Sequence, residues 1–225
     1  MDITKTNEIL NYWFPKDGSP DYDKWFMKSQ DYDNEIKEKF SNLLKEAEKG
    51  KGYGWLVNKD SFLAYIILMD QFSRHIYRGT GEAFKNDNGV LIFTELGFEL
   101  YKDQLRGYEF MFAYMPYMHT ENFLYQKKGR LIFYNHMKLY GLSNSALTKR
   151  VITDPKKTSY MEKIILTQND KDYQVLQDMK THVEGHFMVI NCHGRFPKRN
   201  LALGRESTFH EEQYMARDEV KKRPY

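Results

Sequence analysis

The stretch SFLAYIILMDQFSRHIYR, residues 61–78, decides the fold class. At 100° per residue its apolar side chains, from Phe62 and Leu63 through Tyr65, Ile66, Ile67, Leu68 and Met69 to Phe72 and Ile76, cover nearly the whole circumference of a helix. A helix that is apolar all round is enclosed by other elements, so this one is central. The pattern predicts a helix from about Ser61 to Arg78, capped by Asp60 or Ser61.

Outward from it, the chain keeps a period near 3.6 and shows few alternating stretches. A short helix capped by Thr6 runs toward Trp13 and stops before Pro15. Residues 31–50, DYDNEIKEKFSNLLKEAEKG, set Ile36, Phe40, Leu43, Leu44 and Ala47 at helical spacing among Lys and Glu, the pattern of an amphipathic helix lying on a core. Further helices are predicted over about Asp87 to Leu105, with Gly97 at a close helix contact, and over Tyr108 to Met115, ending near Pro116. Thr120 restarts a helix that ends before Gly141, residues 141–158 read as a polar connection, and a long helix follows from about Lys157 to Asn191, with Asn169 and Gly185 as candidate breaks in it. Thr208 and Glu211 have the spacing of a capping box and open a short last helix around Tyr214. The reading is all-α, with antiparallel helices, short loops and no significant sheet, in one domain over residues 1–225. It leaves a bundle and a helical-hairpin superhelix both open.

Composition narrows the partners. With 34 basic and 31 acidic residues the net charge is +3, too small a surplus to point to nucleic acid. No apolar run approaches the ~20 residues that span a bilayer. A single cysteine, Cys192, rules out an internal disulfide, and the chain is expected in the cytoplasm. Aromatic residues reach 16%, which predicts a core built on large rings with polar tips.

Four polar motifs stand where a core is expected. Asp70, Arg74 and Arg78 form a charged line on the central helix, at i,i+4 spacing that favours pairing. Arg78 must meet a carboxylate or solvent. In MPYMHTE, residues 115–121, His119 and Glu121 flank a helix start and could transfer protons or hold an ion. In HVEGH, residues 182–186, the two histidines share a helix face, but Glu184 lies about 160° away from them, so the pattern does not match a zinc protease and no metal is expected. In CHGRFPKRNLALGRES, residues 192–207, Gly194, Pro197 and Gly204 bend the chain while Phe196, Leu201 and Leu203 can pin it. Arg195, Arg199 and Arg205 are thereby held on a fixed loop, where they suit a carboxylate or phosphate or else pair with Asp70, Glu95, Glu99 or Glu121.

Three blocks, LMDQFSRHIYRGTGEAFKND, YMPYMHTENFLYQ and HGRFPKRNLALGRESTFHEE, occur in an order that resembles the family called domain of unknown function 924. ILNYWF and DKWF fit the opening of that family, and the resemblance spans about Ile9 to Glu212. It implies a tetratricopeptide-like superhelical arrangement and no established activity. The family's polar signature falls on Asp70, Gln71, Arg74, Arg78, His119, Glu121, Gln126, His186, Arg195, Arg199, Asn200, Arg205 and Thr208. The chain has His75, His193 and Lys198 where the family usually has Asn, Phe and His.

Two functions follow as expectations. In the first, Arg78, Arg195, Arg199, Asn200 and Arg205 hold a small anionic ligand, with His119, Glu121 and His186 as the catalytic acid–base set and Asp70, Arg74, Thr208 and Glu211 as structural polar residues. No cofactor is implied. That site requires Arg199 and His119 to lie within about 15 Å, the reach of one small-ligand pocket. In the second, the chain is a tetratricopeptide-like module that binds a peptide in a groove, and the polar motifs are internal struts. Asp70, Arg74, Arg199 and Asn200 would then be mostly buried on protein partners, with the groove elsewhere.

Overall fold

The structure, a computed structural model, describes residues 3–50, 52–153 and 160–221, with side chains described outside 139–170 and 221. Every regular element among them is a helix. α1 (Ile3–Trp13), α2 (Tyr22–Phe26) and α3 (Gln30–Lys49) precede a continuous rod made of α4 (Lys59–Ile66), a π turn (Ile67–Phe72) and α5 (Ser73–Ile76). Then come α6 (Asp87–Tyr101), α7 (Gly107–His119), α8 (Phe123–Thr153), α9 (Tyr160–His193), α10 (Phe209–Ala216) and α11 (Asp218–Lys221). No helix among the described residues is long and apolar enough to cross a membrane.

The rod is central because its sequence leaves it no solvent face: every residue from Ser61 to Ile76 is buried. It touches α1, α3, α6 and α7. Its start is fixed by Asn58, whose side chain accepts from the Ser61 amide while Ser61 returns a bond to Asn58, so the cap lies two to three residues earlier than the sequence suggested. Trp13 and Trp25 anchor the core beside it. Trp13 meets Phe72 and Phe112 edge-on at 5.4 and 5.3 Å, and the Trp25 indole donates to the Trp13 carbonyl at 3.0 Å.

Contacts give the helix directions. Tyr12 reaches Glu35 and Lys5 reaches Glu46, so α1 and α3 are antiparallel. Asp33 meets His75 while Phe40 meets Phe72, so α3 and the rod are antiparallel. Lys59 pairs with Glu109 and Asp70 with His119, so the rod and α7 run parallel, with α6 opposed between them. Phe110 stacks on His136, Arg130 pairs with Glu184, and Gly107 abuts Asp172, so α8 opposes α7 and α9 returns alongside it. Successive long helices therefore alternate, and the C-terminal ends of the rod, α7 and α9 share one end of the molecule with the starts of α6 and α8.

Several expected boundaries move. α1 begins at Ile3 and buries Thr6, which is therefore not its cap. α6 ends at Tyr101, followed by a 3-10 turn over Lys102–Gln104. α7 runs through Pro116 to His119, because burial of residues 110–120 on every side outweighs one lost backbone bond. The following helix is capped by Asn122, which accepts from the amides of Leu124 and Tyr125, and not by Thr120. α8 continues through 141–153, where a polar connection was expected, and 154–158 lie outside the described residues. α9 passes through Asn169 and Gly185 without a break.

Candidate functional site

The shared end of the bundle gathers the polar motifs in three tiers. The innermost is Asp70, fully buried in the π turn of the rod. A π turn takes i→i+5 bonds and leaves carbonyls without their usual α-helical donors. Side chains also bond to carbonyls of this turn: Ser73 Oγ donates to the Met69 carbonyl at 2.8 Å and Arg74 Nη1 to the Asp70 carbonyl at 2.9 Å. Nδ1 of His119 lies 2.9 Å from both carboxylate oxygens of Asp70, and Gln71 also donates to that carboxylate. Burial pushes the Asp70 carboxyl up, but Arg74 and His119 more than reverse this and hold it well below the usual range. Burial and the Arg74 charge push the His119 imidazole down despite Asp70.

The middle tier turns on Asp87, at the first position of α6. One oxygen accepts from Arg74 at 3.1 Å and the other from Arg199 at 2.9 Å. Arg199 Nη2 donates to the His119 carbonyl at 2.9 Å, satisfying a C-terminal carbonyl of α7. The Arg199 guanidinium lies over the rings of Phe84 and Phe196, 4.4 and 4.6 Å from their centroids. Burial lowers its affinity for a proton, and Asp87 opposes that.

The outer tier is the loop after α9. Gly194 and Gly204, at φ 71° and 62°, turn the chain where other residues would be strained. Glu121 accepts from the Phe196 amide at 2.8 Å and from both terminal nitrogens of Arg205 at 2.6 and 2.9 Å. Those bonds overcome the effect of burial and hold its carboxyl below the usual range. Arg205 also donates to Asn200 at 3.0 Å. Arg195 grips Glu211 through two nitrogens at 2.6 and 2.8 Å, while Glu211 closes the capping box with Thr208. The bonds from Arg195 hold the Glu211 carboxyl at about 2. Phe196 and Pro197 are buried, but Leu201 is 95% exposed, so the loop is pinned by Phe196 and by polar bonds and not by Leu201.

His186 stands beside these tiers on α9. Its Nδ1 lies 2.8 Å from the His182 carbonyl, and its ring centroid lies 6.1 Å from that of His119 and 5.7 Å from that of Phe196. Burial, helped by the neighbouring His119, pushes its imidazole down to about 3. Arg78 is held elsewhere. The rod ends at Ile76, so Arg78 leaves the line of Asp70 and Arg74 and grips Asp33 beside His75. Glu184 likewise points away from the histidines and pairs with Arg130 at 2.9 and 3.0 Å.

Thus His119, Glu121, His186, Arg195, Arg199, Asn200, Arg205, Asp70, Arg74, Thr208 and Glu211 come together and Arg78 does not. Four guanidinium groups, of Arg74, Arg195, Arg199 and Arg205, meet four carboxylates, of Asp70, Asp87, Glu121 and Glu211. Sequence reasoning missed Asp87, Asp33 and Phe84. Asp87 carried one signal, an acid at a predicted helix start, which reads equally well as a response to the helix dipole. Among the described residues no group of three His, Cys, Asp or Glu side chains could hold a metal ion.

A family model described as bacterial protein of unknown function (DUF924) matches residues 9–219. Among solved structures, the protein of unknown function ATU0120 from Agrobacterium tumefaciens is similar, with 26% identity and a TM-score of 0.67 over 95% of this chain and 98% of that one. No curated protein matches.

Proposed function

The chain belongs to the family of bacterial proteins of unknown function DUF924, and on that premise we propose that it is a helical interaction module of the tetratricopeptide kind. Its shared polar motifs act as struts that fix the loop and α10 to the helix ends. One observation carries this reading: the guanidinium groups of Arg74, Arg195, Arg199 and Arg205 each bond to a carboxylate of the chain. A ready anion site presents cationic donors to solvent; here they are matched by acids, and Asp70, Arg74 and Asn200 are buried. The binding surface lies outside this network, in a groove of about 390 Å³ between the C-terminal part of α9 and α10.

The test is a selection of random twelve-residue peptides on the full chain, run beside a thermal-shift screen of phosphorylated and carboxylated metabolites. The module reading expects enriched peptides whose binding is lost in Val189→Trp, which fills the groove. A metabolite that stabilises the wild type saturably, by about 2.7 kcal/mol at 100 times its dissociation constant, but not Arg199→Gln, would overturn it.

A second reading has its own support in the π turn. Such turns recur at functional sites, and this one carries Asp70, bonded to His119 with His186 close by. In that reading the Asp70–His119 pair and His186 transfer protons, with Glu121 and the arginines as the walls of a small-anion site.

A further inference from the structure

The groove between α9 and α10 has a chemistry of its own. Its apolar floor is Met188, Val189 and Tyr214, and Gly185 lines it with them. Met188 is 51% exposed, and a flexible thioether adapts to varied apolar partners. The ionisable side chains on its walls, apart from the thiol of Cys192 and the phenol of Tyr214, are His193, His210 and Arg217; no carboxylate lines it. The His193 ring packs 4.9 Å from Tyr214 and Phe209 lies edge-on to His210, 67% exposed, so the apolar surface continues to the start of α10.

We propose that this groove binds an acidic amphipathic helix of a partner protein, with its apolar side chains on the Met188–Val189–Tyr214 floor and its carboxylates against Arg217, His193 and His210. This rests on the interaction-module reading and adds the sign of the partner's charge. Two helices framing an apolar cleft accept a third through anchors spaced i, i+3, i+4 and i+7. A rim with basic groups and no acid selects against basic partners as well as for acidic ones. The acid-free rim contrasts with the neighbouring polar cluster, where Arg74, Arg195, Arg199 and Arg205 each have an acid.

Cys192 lines the groove, is exposed, and is the single cysteine of the chain, so it reports occupancy. The experiment measures the rate of Cys192 alkylation by iodoacetamide, read by mass spectrometry on the full chain. It uses twelve-residue peptides with Leu at those four spacings and Glu, Gln or Lys at the other positions. We expect the Glu peptide to slow alkylation saturably and to bind at least tenfold more tightly than the Gln peptide, with the Lys peptide giving no protection. The preference for Glu should fall in Arg217→Gln, whose exposed position leaves folding intact, and should weaken at high salt. Equal protection by Glu and Gln peptides overturns the charge assignment while leaving groove binding in place. No protection by any peptide overturns both.

Discussion

Asp87 ties together arginines that lie 13 and 112 residues from it in the chain, and each of its oxygens has one of them to itself. Removing its charge leaves Arg74 and Arg199 mostly buried beside an amide. Asp87→Asn is therefore expected to cost about 3–5 kcal/mol, measured by urea unfolding, and Asp87→Glu to recover part of the loss. The separation of 112 residues explains why Asp87 was not legible as a site residue: nothing local marks which acid a loop arginine will reach. Asp70 was legible, because a charge on an all-apolar helix is an anomaly within a single window of sequence. The histidines set the response to pH. His119, His75 and His186 all have imidazoles pushed down by burial, His186 to about 3. Unfolded, each takes up a proton near pH 6.5; folded, each resists until lower pH. The unfolded state thus binds more protons as pH falls below about 6.5, and stability falls with it. Asp70, held low in the fold, adds to the loss only below about pH 4. Urea midpoints at pH 7.5 and 5 should show the wild type weakened at pH 5, and His186→Gln should show a smaller drop between the two.

At the scale of elements, the period of the apolar residues located most of the helices, and their ends were set by contacts that a period does not contain. α3 is the clear success, since Ile36, Phe40, Leu44 and Ala47 face the core at the spacing the sequence shows. Pro116 is the clear failure: it reads as a stop, but α7 is enclosed by α6, α8, α9 and the rod, and packing holds it helical to His119. Gly97 illustrates how tight that packing is. A Cβ there would lie 1.9 Å from Cε2 of Phe62. Gly97→Ala is expected to destabilise by about 1–3 kcal/mol through overpacking, and Phe62→Leu in the same chain should relieve part of it, as thermal melts of the two variants and the double variant would show. The cap of α10 is a smaller effect. Thr208→Ala removes one partner of the box with Glu211 and should cost about 1 kcal/mol.

At the scale of the molecule, the alternation of helix directions does what no single motif could. It carries the ends of three helices and the starts of two others to one place, and residues written far apart meet there. The all-helical class was legible because the rod and α3 admit no other reading. The site's composition was partly legible, since most of the polar motif residues do converge. Its closure, acid on base, was not, because pairing depends on which helix ends share a side. The loop after α9 depends on that closure for its attachment. Glu121→Gln should speed backbone hydrogen exchange over residues 194–216 well before it alters exchange in the rod, since Glu121 holds the loop through Phe196 and Arg205 and touches little of the aromatic core.

The π turn sets the phase of everything after it. A helix advances about 100° per residue, and the wide turn at Ile67–Phe72 accommodates its extra residue without a break in the rod. Arg74 and His75, just beyond it, look to opposite partners, Asp87 on one side and Asp33 on the other. Wound as a plain α-helix with every residue kept, the rod would carry both side chains about 100° further round its axis. Both partnerships would be lost together, although neither residue had changed. The wide turn acts as a key cut into a shaft: beyond the contacts of its own residues, it decides which contacts the rest of the shaft can make.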